Sequence, residues 1–435
     1  MFSTPRRGRA AVLAVSAALA LGQLALAPPA GATPVTTTPT LSAGTRLFTP
    51  PPDPGAVQQV IGLGEEGRFA DAALVAKEVA TPQAVWFTDG TPQEVQRDVR
   101  RTVLEAKAFR AVPTLVVYNA PGRDCAQYSA GGAAGQADYQ AWADGLARGL
   151  VGNQQVIVVI EPDGLANLPS DCGDAYTSDP QNPTDDERIA EIRYAGEAVE
   201  KAAPNALVYL DAGHSGWHSV ADTTSRLDAA GVAEFAGFSL DVSNYQWTAN
   251  LSQYGTWVSD CLALHPDAET TTPTDCGDQY YSGGPDNWGA GALDPAQQWS
   301  DTAADPAANT RSVNARYAAE LASAGATPTA RFVLDTSRNG QGPWASSAYG
   351  DDQDWCNPPG RGLGARPQAR PDAGFPLLDA YLWIKTPGQS DGQCNRGVSG
   401  STTDPEWGGI TDPAAGAWFP AQALQLAQLA SPPLR

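Results

Sequence analysis

The chain has 435 residues, 42% apolar and 17% charged, enough apolar mass for a substantial buried core and too little charge for a disordered polyelectrolyte. Asp and Glu outnumber Lys and Arg 48 to 27, a formal charge of -21. So acidic a surface repels phosphate backbones and excludes nucleic acid from the expected partners.

The first expected element is an address rather than a fold. Arg6, Arg7 and Arg9 precede an apolar run from Ala10 to about Ala27, and Ala30-Gly31-Ala32 offers a small-residue cleavage site. This order marks 1–32 as a secretory signal peptide; a retained membrane anchor is disfavoured because Gly22 and Pro28 break the run. The expectation is a secreted, extracellular, soluble protein with no membrane partner. Residues 33–55, rich in Thr and Pro, read as an extended linker or an arm packed on the surface. From 56 to 435 neither a linker-like tract nor an internal repeat interrupts the chain, so one domain is expected, as a monomer.

Within it, short β-branched runs alternate with amphipathic segments. Strands are expected at 84–88, 114–118, 156–160, 207–210, 235–240, 331–334 and 380–384. Their near-continuous apolar character suits a parallel sheet buried on both faces. Helices are expected at 92–110, 138–151, 185–203, 222–231, 310–325 and 420–430. Seven strands with intervening helices predict an α/β fold, either a β/α barrel or a related open sheet.

The strand ends carry chemistry. Tyr118 leads to Asp124, Ile160 to Glu161 and Asp163, and Ile384 to Lys385 and Asp391; Asp211, Asp241 and Asp335 each directly follow a strand. In this architecture those ends converge on one rim, where active sites sit. A ring of carboxylates there predicts acid/base chemistry on an uncharged substrate. Asp211, Asp241 and Asp335 are equally explained as caps of the following helices. His214 and His218 stand four apart, but Gly213 and Gly216 oppose a helix, and no Cys/His cluster accompanies them. No metal or cofactor is expected. The six cysteines suit an oxidising compartment, and spacing alone does not select their pairing.

Five segments go further: Val116-Val-Tyr-Asn-Ala-Pro-Gly-Arg-Asp-Cys-Ala-Gln-Tyr-Ser-Ala-Gly-Gly132, Val158-Val-Ile-Glu-Pro-Asp-Gly-Leu-Ala-Asn167, Tyr209-Leu-Asp-Ala-Gly-His-Ser-Gly-Trp217, Asp354-Trp-Cys-Asn-Pro-Pro-Gly360 and Trp383-Ile-Lys-Thr-Pro-Gly-Gln-Ser-Asp-Gly392. In register from about residue 55 to the C-terminus, they resemble glycoside hydrolase family 6, the cellulases that invert configuration. The resemblance implies a distorted seven-stranded β/α barrel with long loops over the C-terminal strand ends, acting on cellulose and cellooligosaccharides. Inversion needs an acid for the leaving oxygen and a base for a water on the opposite face, usually roughly 6.5–9.5 Å apart.

By resemblance Asp163 is the general acid, and Asp124 lifts its pKa and orders the attacking water. Asp391 is the candidate base, acting directly or through a water chain and paired with Arg338 and Lys385. Tyr118 lies under the reacting sugar, and Asp211 tunes the site. The residues alone leave Glu161 in competition with Asp163, because side chains two apart on an extended segment point the same way. Trp86, Trp217 and Trp355 are implied as sugar platforms, with core packing the alternative for each; His214, Asn244 and Lys385 are implied hydroxyl contacts. Trp142 and Trp299 have no match and read as packing. The resemblance pairs Cys125–Cys172 and Cys356–Cys394, leaving Cys261–Cys276.

Two positions depart from the family pattern. Ala130 stands where Ser is common near the catalytic water, with Ser129 beside it. Gln389 stands where an acid is frequent, which is expected to reduce charge around Asp391. Long polar stretches at 264–309 and 386–416 follow strands and are expected to roof the cleft. Together with the resemblance of 391–405 to the bacterial exo-acting members of the family, they imply a cellobiohydrolase releasing cellobiose from non-reducing ends. An endoglucanase of the same family and a non-catalytic glucan-binding protein are the alternatives.

Overall fold

A computed structural model describes residues 39–434 except 151, 153, 267–274, 281–291, 303–307, 346–347 and 349–352. The leader expected at 1–32 and the start of the Thr/Pro segment lie outside the described residues, as does most of the first roofing loop.

Seven strands run parallel: β1 Val85–Phe87, β2 Thr114–Val117, β3 Val156–Ile160, β4 Ala206–Asp211, β5 Gly237–Leu240, β6 Arg331–Asp335 and β8 Leu378–Leu382. An eighth, β7 Gln368–Ala369, adds an antiparallel edge, giving the order β1-β2-β3-β4-β5-β6-β8-β7. Two residues present no period to read, so β7 has no sequence signal. The sheet curls until its ends meet without a ladder. Ala84 N–H donates to Trp383 O at 2.9 Å, and Trp86 Nε1–H to Ile384 O at 2.8 Å. This is the distorted, incompletely closed α/β barrel.

The strands alternate between two cores, as a period of two requires. Leu115, Val117, Val158, Ile160, Val208 and Leu210 face outward to Val95, Val99, Leu146, Ile192 and Val199 of the surrounding helices. Val116, Ile157, Val159, Leu207, Tyr209, Val333 and Leu382 fill the interior. Leu41 and Leu47 of the N-terminal segment join that inner cluster, with Leu47 bridged to Val112 just before β2. The segment is therefore packed at the strands' N-terminal ends, opposite the rim formed by their C-terminal ends.

The expected helices appear as α3 Pro92–Ala108, α4 Gln136–Gly149, α6 Asp185–Ala202, α7 Val220–Ala229, α9 Arg311–Ala324 and α10 Pro420–Gln428. Thr91 with Glu94 and Thr184 with Glu187 form capping boxes on α3 and α6. Four more were not expected: α1 Pro54–Glu65, α2 Phe69–Val79, the single turn α5 Asp174–Thr177 and α8 Thr248–Leu264. α8 buries Asn250, Ser252, Ser259 and Asp260 beside Leu251, Tyr254 and Trp257, so its buried face does not read as apolar. None of the described helices is long and apolar enough to cross a membrane.

β5 begins on Gly237 at φ 147°, where a Cβ would lie 1.7 Å from Arg331 O in the paired strand. Gly237→Ala is expected to destabilise the domain by about 3 kcal/mol, read as a lower midpoint in urea unfolding.

Candidate active site

The C-terminal strand ends open onto a cavity of about 460 Å3. Trp86, Tyr118, Asp124, Asp163, His214, Trp217, Asn244, Trp355, Lys385 and Asp391 line it. Asp211 and Arg338 stand one contact behind, fully buried against Asp163 and Asp391.

The segment after β3 is not extended. Glu161 and Asp163 take φ of 47° and 63°, and Gly164 N–H folds back to Glu161 O at 2.8 Å. Such left-handed geometry costs energy for non-glycine residues and clusters at functional sites. It separates the two carboxylates and removes the competition between them. Glu161 turns into the core, accepting from Asn119 N–H at 3.0 Å, Ala120 N–H at 3.1 Å and Tyr139 Oη at 2.8 Å. It braces the loop after β2 and does not line the cavity.

Asp163 faces the cavity. Its N–H donates to Asp211 Oδ1 at 2.9 Å, which orients the residue, while its carboxyl Oδ1 has no partner among the described residues. Burial, then the charges of Asp211, Asp124 and Asp391, push its pKa well above the usual carboxylate range. Asp211 is itself raised to about 7 by burial, although Asp163 N–H, Gly213 N–H and Ser239 Oγ all donate to it.

Asp124 lies in a left-handed run with Cys125 and Ala126, at φ 58°, 47° and 60°. Ser129 N–H donates to its Oδ2 at 2.6 Å, and burial still raises its pKa. Arg123 ties this loop down through Tyr118 O at 2.5 Å, Thr88 O at 2.8 Å and Ser129 O at 3.0 Å. Its guanidinium covers the Tyr118 ring at 4.5 Å, and Trp86 meets the same ring edge-on at 5.4 Å. The Cys125–Cys172 bridge closes the loop from below Asp124.

Asp391 has the opposite environment. Its Oδ2 accepts from Arg338 Nη1 at 2.8 Å, Asn357 N–H at 3.0 Å and Tyr245 Oη at 3.1 Å, and Lys385 Nζ sits 3.0 Å from Oδ1. Burial alone would raise its pKa, but Arg338 and Lys385 outweigh it and hold the group at about 2. One cavity thus holds a carboxyl kept protonated and a carboxylate kept ionised.

His214 Nδ1 accepts from Gly216 N–H at 3.2 Å, which leaves the proton on Nε2. Burial, then His218, lowers its pKa to about 3, so the ring is a neutral donor. His218 engages Asp222 Oδ2 at 2.7 Å and Ala166 O at 2.6 Å, and so does not share a site with His214.

A model of the family described as Glycosyl hydrolases family 6 matches residues 42–430. The chain belongs to glycosyl hydrolase family 6. Endoglucanase A of Cellulomonas fimi is 33% identical over 82% of this chain, which spans only 56% of that relative's length. The 1,4-β-D-glucan cellobiohydrolase C of Emericella nidulans is 29% identical over 92% of this chain and 81% of that protein. The solved endoglucanase Cel6 of Mycobacterium tuberculosis, in complex with methyl-cellobiosyl-4-deoxy-4-thio-β-D-cellobioside, is 30% identical with a TM-score of 0.61. It covers 89% of this chain and 98% of that one.

The departures from the family 6 pattern have a structural outcome. Ser129 lines the cavity and Ala130 does not. Gln389 Nε2 donates to Asp53 Oδ2 at 3.1 Å, at the start of α1, so its neutral side chain does not alter the charge around Asp391 as expected. Nor do Asp211, Asp241 and Asp335 cap helices. Ser219 caps α7, and Trp247 precedes α8 without a side-chain cap bond. Asp335 instead accepts from Ser243, Ser337, Ile384 and Lys385 N–H groups, stapling the loops after β5 and β8. Asp241 accepts from Gln246 N–H at 3.0 Å. Trp142 and Trp299 are buried, bonding Asp89 O and Asp294 O.

Sequence reasoning missed Tyr245 and Trp344, both in the cavity wall. Tyr245 sits beside Asn244 on the same loop, and Trp344 follows Arg338 within a Gly/Pro-rich stretch, so proximity to matched residues was the available signal.

Arg338→Met leaves buried Asp391 with Lys385 as its single cation. It is expected to cost about 3–5 kcal/mol in guanidinium unfolding at pH 7. Since Asp391 is held below its unfolded value, its stabilisation is present above the ordinary carboxylate pKa and lost as pH falls through about 2. The variant should lose stability at a higher pH than the parent.

Proposed function

We propose that this family 6 protein hydrolyses β-1,4-glucosidic bonds of cellulose and cellooligosaccharides with inversion. The observation that carries the reading is Asp163, a carboxyl kept protonated among three others, which lines a cavity walled by aromatics and has its buried Oδ1 without a partner among the described residues. Its proton passes to the glycosidic oxygen as the bond to the anomeric carbon breaks. Water attacks from the opposite face, leaving the new hydroxyl in the α configuration. Asp124, whose charge raises the pKa of Asp163, orients the water. Asp391, held near 2, is a weak proton acceptor, which favours a water relay over direct abstraction.

Trp86, Trp217, Trp344 and Trp355 offer flat faces to sugar rings, while His214 Nε2–H, Asn244 and Lys385 are placed for hydroxyls. Three disulfides, Cys125–Cys172, Cys261–Cys276 and Cys356–Cys394, accord with an exported protein in an oxidising compartment.

For the mode of attack we favour chain ends. The support is that three rim loops are joined: Gln353 Nε2 donates to Tyr128 Oη at 3.1 Å and to Asn395 Oδ1 at 2.9 Å, and Asn395 and Arg396 N–H donate back to Gln353 Oε1. Internal attack is the second reading, favoured by the endoglucanases among the relatives.

Asp163→Ala is expected to reduce turnover about a thousandfold while cellooligosaccharide binding persists; undiminished turnover removes Asp163 as the acid. NMR of the first-formed sugar should show the α anomer, and a β anomer defeats inversion. On carboxymethylcellulose, chain-end attack predicts slow viscosity loss per new reducing end, and rapid loss assigns the internal mode.

A further inference from the structure

A second set of buried polar groups adjoins Asp391 without lining the cavity. Asn357, next to the Cys356–Cys394 bridge, is fully buried and takes φ 41°. It grips Asp391 from two directions. Its N–H donates to Asp391 Oδ2 at 3.0 Å, and its Oδ1 accepts from Asp391 N–H at 2.8 Å. Its Nδ2 lies 2.9 Å from Ser390 Oγ, Gly392 O and Asp412 Oδ2, so one amide spans both neighbours of Asp391.

Asp412 is buried, with a carboxylate oxygen within 4.8 Å of one on buried Asp404. Arg396 is committed to Asp404, through Nε at 3.0 Å and Nη2 at 2.5 Å, and to Asn357 O at 3.0 Å. The groups facing Asp412 are therefore Asn357, Asp404 and, beyond Asp404, Arg396; Asp391 lies on the far side of Asn357. Two carboxyls this close with one cation do not both ionise; Asp412 Oδ1 is buried without a hydrogen-bond partner among the described residues, and burial raises its pKa, so Asp412 is the one that retains the proton.

We propose that Asn357 is the positioning residue for Asp391, and that the Asp412–Asp404 carboxyl pair holds its amide in register. Protonated Asp412 accepts Asn357 Nδ2–H at Oδ2, at 2.9 Å, and keeps a neutral carboxyl beside that of Asp404. When its proton is released to solvent, the two anions repel, Arg396 is drawn between them, and the amide loses its fixed partner. Asp391 is then held less well; of the four tryptophan platforms Trp344 is the one that Arg396 overlies, at 5.1 Å. Burial, then Asp404, places this transition at about 7, countered by the Asn357 hydrogen bond.

The inference rests on the proposed hydrolysis, and its test separates the two. Asp412→Asn is a permanently neutral copy of the protonated acid, with an oxygen to accept from Asn357. Asn357→Asp sets a carboxylate against Asp412 and the Gly392 carbonyl. On cellotetraose from pH 4 to 9, Asp412→Asn should keep kcat at pH 5 within about twofold and move the alkaline limb up by about one pH unit. Asn357→Asp should lower kcat about tenfold or more with KM within about threefold. Coincident parent and Asp412→Asn profiles overturn the coupling, and an unchanged kcat in Asn357→Asp overturns the positioning. A thermal arm needs no turnover. With its folded pKa above the unfolded value, Asp412 makes stability fall as pH rises from 4 to 7. Tm should decline less over that range in Asp412→Asn, and equal slopes overturn the coupling. A parent inactive on every β-glucan refutes the hydrolysis reading, and the thermal arm then decides alone.

Discussion

The site depends on how a crowd of carboxyl groups is kept out of water without all sharing one fate. Parallel strands deliver Asp163, Asp211, Asp241, Asp335 and Asp391 to one rim, where each ionised group carries a desolvation cost. The fold answers by rationing donors. Asp391 receives both cations, Arg338 and Lys385, and stays ionised. Asp335 receives four backbone N–H groups. At Asp163 no protein donor reaches Oδ1, and the cheapest state of that carboxyl is the protonated one. Acid and anion are therefore products of unequal hydrogen bonding across an otherwise similar set of residues.

Buried groups with no direct role make that inequality possible. Glu161 is spent on the Asn119–Ala120 backbone and Tyr139, which fixes the start of the loop carrying Asp124. Arg123 closes the same loop from its other end. The left-handed residues Asp124 and Glu161 are held at their conformations by these contacts rather than by local preference.

Much of this was legible beforehand. The apolar runs of β2, β3 and β4 marked strands buried on both faces, and the helical patterns at 92–110 and 185–203 marked α3 and α6. The motif segments pointed to the residues now found around the cavity. What stayed hidden was set by tertiary context. Glu161 and Asp163 seemed to share a direction because an extended backbone was assumed, and two positive φ angles undid that. Asp211, Asp241 and Asp335 sat where helix caps often sit, yet Asp211 and Asp335 draw donors from neighbouring strands and their loops, contacts with no signature in local sequence, and Asp241 bonds Gln246 N–H within its own loop. Gln389 looked important for Asp391 because an acid is frequent at its position in the family, but an antiparallel bridge to Trp418 turns it toward Asp53.

The packing of Leu41 and Leu47 has a bearing on how the domain is handled. Composition places the natural cut near residue 55, where the Thr/Pro-rich stretch gives way to α1. Cutting there would take away two leucines that stopper the floor of the barrel, together with the Arg46–Val112 and Phe48–Val112 backbone bonds that stitch them in place. The interior facets of β2, β3 and β4 would then meet solvent from underneath. A stretch that looks dispensable on paper is the bung of the vessel, and any shortened or fused version of the protein should keep it.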